Sequence, residues 1–448
     1  MRNFEAGLLA IVILVTSFVA NAQVWLEGRE ETEGPGIKVS DSLVLHLGLG
    51  LEGGYDTNAL YKNKDLEPAG RMRITPYVDL ATRGKKRLMK NDGHVGISKQ
   101  KVLFRLGLAS FYDHYFAINE SGKSAIENLN GKNGLGVDTH LKFILFPEGK
   151  FSLITDASYS RTLQPYESSG DAMAHHRVSP GIGFKIRPGG GTLSFEAGYR
   201  LHLLYYEDSS MSDVNNHAHD IRLITRWKIF PKTALLSKIR FTPTFYFDDG
   251  SLNESSYPIR SSFGIQGLVT DRFGLMLLAG YGASNYKNGP NFDSFIAKGE
   301  FMFFITPFSN VKLGGQRDFV DSLYANYYVK TGGYLSFQQM FGGLVLASLK
   351  GELFYRDYAT FNGPMASGDT PSHTDRNDTW ASATLAIEVR AADWLSFHVS
   401  GRYLTDITDF GYNRVDEGNP NDPNDDVSST IDSAFGKFEF FAGVRAHY

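Results

Sequence analysis

Four histidines, His175, His176, His217 and His219, stand close to Asp220, and in an extended chain His217 and His219 share a face as a metal-binding pair does. Surface or wall-lining histidines account for the same spacing, so no metal is expected. Asp156 and Glu196 are a second candidate pair, and a glycosidase needs two carboxylates at a defined separation. The two fall on segments that are not neighbours in the chain. Neither G-x-S-x-G nor H-E-x-x-H occurs, and the acidic stretch Asn413 to Asp426 lacks the ordered spacing of a calcium loop. Neither an enzyme nor a cofactor is indicated.

The chemistry that recurs is positive charge at alternate positions. Arg71, Arg73, Arg105, Lys142, Arg177, Arg200, Arg222, Arg226, Lys238, Arg240, Arg260 and Arg402 all lie opposite in phase to apolar neighbours. Carboxylates in the same phase are fewer: Asp79, Asp138, Asp156, Glu196, Asp220, Glu300, Glu352, Glu388 and Glu439. The formal net charge is −4, so the balancing acids lie elsewhere, notably at Asp416, Glu417, Asp422, Asp425 and Asp426. A wall biased to one sign concentrates counter-ions along it. A hairpin turning symmetrically at Lys232 sets Arg226 opposite Lys238, with Arg222 and Arg240 close by. Like charges facing one another cost roughly 0.2–1 kcal/mol, so carboxylates or an anion are expected beside them.

What positions these residues is a period of two. From Leu43 to Leu51 every odd position is Leu, with Val, His and Gly between. Met72, Ile74, Val78 and Leu80 alternate with Arg71, Arg73, Tyr77 and Asp79; Ile221, Leu223, Trp227 and Ile229 alternate with Asp220, Arg222, Arg226 and Lys228. Such runs exceed the roughly 5 to 6 residues of an ordinary strand and suit strands crossing a bilayer at a tilt. Mean hydropathy is −0.23, and no apolar run beyond the first twenty or so residues approaches the ~20 residues a spanning helix needs. Cysteine is absent and aromatics reach 13%, so a backbone hydrogen-bonded framework must do the holding.

Connections alternate between tight and long. Pro147 to Lys150, Pro188 to Gly191, Pro231 to Thr233, Thr270 to Arg272, Pro307 to Asn310 and Ala391 to Asp393 read as turns. Long polar stretches lie between them, around Gly53 to Gly70, Asp113 to Asn133, Gln164 to Ala174, Glu207 to Asn216, Asp248 to Tyr257, Ala359 to Arg376 and Phe410 to Thr430. Short periplasmic turns with long outer loops are the barrel pattern. The Arg83 to Ile97 connection is long for a turn, and Val320 to Ala325 is short for an outer loop. Trp227, Trp394, Phe143 and Phe151 fall near the turns; Tyr159, Tyr205, Phe245, Tyr355 and Tyr403 fall near the loops, as two interfacial girdles do. The expected fold is all-β: a transmembrane antiparallel barrel of about eighteen strands, with sixteen to eighteen admissible.

Arg2, the apolar stretch Ala6 to Ala20 and the site Ala20-Asn21-Ala22 read as a signal peptide over residues 1–22. Residues 23–39, with Glu27, Glu30, Glu31 and Glu33, form a short periplasmic segment, and 40–448 form the barrel. The final strand, Phe438 to Tyr448, alternates and ends on an aromatic, similar to the C-terminal signal of outer-membrane barrels. The segment Gly48 to Asn58, ending Gly53-Gly54-Tyr55-Asp56-Thr57-Asn58 before Ala59-Leu60-Tyr61, resembles the first strand of the β-barrel porins found with exopolysaccharide secretion systems (β-barrel porin type 2). That resemblance implies an outer-membrane conduit whose cargo is an anionic polysaccharide or solute, with periplasmic components of a secretion system as partners. It also sets Tyr55, Asp56 and Asn58 where the first strand meets its outer loop; an Asx-type turn explains those three equally well. Outer-membrane lipid is the other partner, and nucleic acid is not expected. The competing reading is a surface-binding or adhesion barrel that acts through acidic loops with its lumen closed. Uptake of hydrophobic molecules is disfavoured by the charged lead-in Glu27 to Lys38.

Overall fold

The computed structural model describes residues 36–82, 101–118, 133–163, 174–248, 254–306, 308–322, 325–359, 370–371, 375–416 and 427–448. The segments assigned to the signal peptide and to the long Arg83 to Ile97 connection lie outside the described residues.

The wall begins with β1 (Leu43–Asp56), β2 (Ala69–Thr82), β3 (Val102–Ala117), β4 (Gly134–Leu145), β5 (Phe151–Thr162) and β6 (His175–Ile186). It continues with β7 (Leu193–Tyr206), β8 (Asn216–Phe230), β9 (Thr233–Phe241), β10 (Ile259–Leu268), β11 (Phe273–Ser284) and β12 (Phe292–Thr306). The last six are β13 (Ser309–Asp321), β14 (Tyr327–Phe341), β15 (Val345–Tyr358), β16 (Asn377–Ala392), β17 (Leu395–Ile407) and β18 (Phe435–His447). Each pairs antiparallel with the next, and β18 pairs with β1 from Gly48↔His447 to Asp56↔Glu439. The sheet is thus a closed eighteen-strand barrel. Two further segments belong to it: Ile37–Lys38 pairs with β1, and Thr244–Tyr246 continues β9 along β8. A separate hairpin, Gly411–Asp416 with Val427–Asp432, joins Thr370–Pro371 on the long-loop side.

Alternation decides which face each side chain takes. In β1, Leu47, Leu49 and Leu51 are exposed while His46, Glu52 and Asp56 are buried; in β2, Met72, Ile74 and Val78 are exposed while Arg71, Arg73 and Asp79 are buried. Trp227, Trp394 and Phe151 are exposed near the short turns, and Tyr205, Tyr355 and Tyr403 near the long loops. The turn after β14 needs glycine. Gly342 and Gly343 have φ of +57° and +74°, the left-handed pair that matches the twist of a two-strand hairpin, and Leu344 N donates to Phe341 O at 3.0 Å.

One register differs from the sequence expectation. The turn after β8 is Pro231-Lys232, with Phe230 opposite Thr233, and a bulge between Thr233 and Ala234 displaces the ladder once more. Lys238 therefore faces Ile224, Leu236 faces Arg226, and Arg240 faces Arg222. The offset is two residues, so every side chain keeps its face while its partner changes.

Close packing between strands fixes some positions absolutely. At Gly264 in β10 a Cβ would strike the Leu277 carbonyl and the Leu278 backbone in β11, whereas at Gly351 in β15 the nearest atom would be Ser382 O at 4.0 Å. Gly264→Val is expected to abolish the compact form that folded barrels keep on unheated gels, and Gly351→Ala to retain it. Equal mobility of the two variants would contradict this packing.

Candidate functional site

Side chains from strands two apart can meet only on the concave face of a curved sheet, because their backbones stand about 9.6 Å apart. Here it is the polar face that does so. His398 Nε2 of β17 lies 2.7 Å from Glu52 Oε1 of β1, across β18. Arg200 of β7 reaches Asp156 of β5, Tyr334 of β14 reaches Glu300 of β12, and Arg445 of β18 reaches Glu388 of β16. The apolar face is therefore the outer one. A closed wall with a polar interior and an apolar exterior, girdled by aromatics at both ends, defines a transmembrane β-barrel of the outer-membrane class.

No protein-family model matches the chain. No curated protein matches it either. Among solved structures it is similar to the outer-membrane protein OpdK of Pseudomonas aeruginosa, with 11% identity, 90% of this chain and 99% of that one covered, and a TM-score of 0.44. OpdQ of the same organism gives 9% identity, coverages of 92% and 99%, and a TM-score of 0.44. The siderophore receptor PirA, also from that organism, gives 10%, 90% and 80%, and 0.40. These superpositions are loose, and the barrel class rests on the chain's own closure and surfaces.

The inner wall treats its cations in two ways. Around the seam between β18 and β1 they are matched. Arg71 Nη2 donates to Asp113 Oδ2 at 2.5 Å, and Arg73 Nε donates to Asp113 Oδ1 at 2.6 Å. Lys437 Nζ donates to Asp56 Oδ2 at 2.8 Å and lies 3.2 Å from Glu439 Oε1, which Arg71 and Arg402 also approach. Arg105 Nε donates to Asp79 Oδ2 at 2.9 Å. Arg71, Arg73, Asp113, Lys437 and Glu439 are all buried, so each needs its partner to offset desolvation. The expected basic surplus is absent along this stretch because Glu52, Asp56 and Asp113 share the wall, and the sequence reading left them out. Glu52 and Asp56 lie in a glycine-rich strand, and Asp113 among aromatics on both faces of β3, so their phase was poorly marked.

On β7 to β10 the balance differs. Arg222, Arg240 and Arg260 stand directly opposite one another on three consecutive strands. Arg240 donates to Asp220 at 2.8 and 3.0 Å, and Arg260 Nε donates to Asp318 Oδ1 at 2.9 Å. Arg222 lies over Gly198, where a Cβ would come within 2.7 Å of its Nε, and has no carboxylate partner among the described residues. Its Nε is buried with no hydrogen-bond partner. Lys238, two positions along from Arg240, has no carboxylate partner there either, and Arg226 donates only to Gln266, at 3.2 Å. Of the remaining predicted cations, Lys142 sits in register between Arg105 and Asp156, and Arg177 between Ser160 and Leu204. Next to the arginine row lies an apolar inner cluster of Leu236, Met276 and Leu278 with Ile224. Alternation alone assigns apolar positions to lipid, and these four face inward instead. In β11 the run Leu275-Met276-Leu277-Leu278 is apolar on both faces and carries no phase of its own.

The outer mouth is spanned. A buried cluster joins Leu204 and Tyr206 of β7 with Met211 and Val214 of the following loop, Tyr328 of β14, Tyr358 of β15 and Phe410 beyond β17. Strands β8 to β13 separate β7 from β14, so the loop carrying the short 3-10 turn Ser209–Val214 reaches across the opening.

The four histidines do not gather at one point. His176 Nε2 lies 2.8 Å from Glu207, and the Arg161 guanidinium donating to that same carboxylate holds it below the usual range. His217 and His219 stand together, ring centroids 5.3 Å apart, packed among Phe245, Phe247 and Tyr199. Among the described residues no group of three or more metal-ligating side chains comes together.

Two outcomes test this partition. Lys437→Ala, which strands Asp56 and takes one of three cations from Glu439, is expected to lower stability in urea titrations by about 3–5 kcal/mol, with Arg222→Ala costing far less. Met211→Ser combined with Val214→Ser is expected to raise single-channel conductance severalfold; no change in a folded variant would mean the loop does not obstruct the mouth.

Proposed function

We propose that the barrel is an outer-membrane conduit for anionic solutes, which pass along the β7 to β10 wall. One observation carries this reading: three arginines face one another directly while, among the described residues, only two carboxylates serve them, and the one left over there, Arg222, is flanked by Arg240 and Lys238. Strands are about 4.8 Å apart, so the three guanidinium groups form a short ladder. A carboxylate, sulfate or phosphate group can be passed from one to the next, losing one contact as it gains another. Arginine suits this role because its planar fork binds oxyanions bidentately and stays charged. Seam cations such as Arg71, Arg73 and Arg402, already paired, hold the wall together.

The finer reading, export of an acidic exopolysaccharide delivered by periplasmic secretion components, is supported by the first-strand resemblance and by the repeating spacing of the row. Asp56 and Asn58 contribute structurally: Asp56 Oδ1 accepts from Asn58 N at 3.0 Å, and Asn58 Nδ2 donates to Gly436 O at 2.9 Å, tying the first loop to β18. The spanned mouth favours a second reading, a surface-binding barrel with a closed lumen.

In planar bilayers under a salt gradient the reversal potential is expected to report anion selectivity. Replacing Arg222, Arg240 and Arg260 together by Gln should remove it, and a polyuronate oligomer should block current where a neutral glucan of equal length does not. Cation selectivity would overturn the conduit for anions. Absence of conductance in both the parent and the Met211/Val214 variant would favour the closed barrel.

A further inference from the structure

The outer surface carries a groove where lipid must lie. On β13, β14 and β15 the side chains of Leu313, Leu335 and Leu353 project, about half exposed, around Gly333 and Gly351. The glycines leave backbone as the floor, and the hollow has a volume of about 640 Å³. Thr331 lines its long-loop end, and Arg317 of β13 donates from Nη1 to Thr331 Oγ1 at 3.1 Å. Arg317 is in register with Ala297 and Thr331, and Thr331 with the exposed Tyr355. The guanidinium therefore stands level with the outer aromatic girdle, on the lipid side of the wall. Thr331 is its hydrogen-bond partner, and no carboxylate lies within ion-pair distance of it among the described residues.

A cation facing lipid without a counter-charge is unfavourable, even close to the interface. The feature is resolved if the anion comes from the lipid itself. We propose that this surface binds one outer-leaflet lipid of a defined kind, a multiply acylated glycolipid bearing phosphate on its headgroup. An acyl chain lies along the glycine floor between the leucines, and the phosphate meets Arg317. Thr331 fixes the guanidinium plane, leaving its remaining N–H groups free for the bidentate contact that phosphate accepts. The groove supplies shape and the arginine supplies the headgroup preference. Because the long-loop end faces outward, the headgroup belongs to the outer leaflet. The site lies on the opposite side of the wall from the conduit and stands whether or not the barrel conducts.

Intact-complex mass spectrometry of the full barrel, exchanged from detergent into bis-phosphorylated lipid A or its phosphate-free form, tests both halves. The parent protein is expected to retain one phosphorylated molecule and at least five-fold less of the phosphate-free form. Arg317→Gln should erase that preference. Gly351→Leu, which fills the groove where a Cβ meets nothing nearer than 4.0 Å, should reduce retention of both forms with Arg317 intact. Val399→Leu, on a different part of the outer surface, serves as the control and should behave as the parent. Circular dichroism and unheated gel mobility establish that each variant is folded. Unchanged phosphate preference in folded Arg317→Gln, or unchanged retention in folded Gly351→Leu, would overturn the proposal.

Discussion

Everything in this molecule depends on the backbone having no unpaired edge. In hydrocarbon a free N–H or C=O finds no water, and each one left open costs several kcal/mol. The pairing of β18 with β1 removes the last two edges of the sheet. Beyond the strand end, Leu47 and Tyr448 exchange backbone hydrogen bonds at 3.1 and 2.8 Å. With closure set, strict alternation follows, since one face of every strand must meet lipid and the other must meet the interior. The polar groups of the interior then come at a fixed density and have to be satisfied there.

How they are satisfied separates structure from function. Along the seam, buried guanidinium and ammonium groups meet carboxylates at 2.5 to 2.8 Å. Such pairs gain little net stability over an apolar wall, but breaking one leaves a stranded charge. Their value is in holding the register where first and last strands must find one another. On β7 to β10 the same residue type is left partly uncompensated, with Arg222 Nε buried and unpartnered among the described residues. The buried apolar cluster lies across the mouth at one end of that wall.

Much of the architecture is legible in the sequence. Alternation in Leu43 to Leu51, the tight turns at Pro188 to Gly191 and Pro231 to Thr233, and the two girdles give a barrel of sixteen to eighteen strands, and the structure has eighteen. The charge balance is less legible, because it depends on phase where phase is weakest. Glu52 sits between glycines, Asp113 between tyrosines, and the Thr233 bulge shifts each partner by an amount that no local signal records. The mouth cluster could not be read at all. Met211 and Val214 look like ordinary loop residues, and only the closed wall brings them to Tyr358. Arg317 was likewise silent, since one arginine out of phase among apolar residues resembles noise until its neighbours are known to face lipid.

Joining the two ends of the chain at one seam also makes the barrel a test of its own completeness. A copy missing β18 leaves β1 bare, together with Asp56, whose partner Lys437 lies on β18. No partial set of these strands closes the sheet, so the outermost edges are satisfied only when all eighteen are paired.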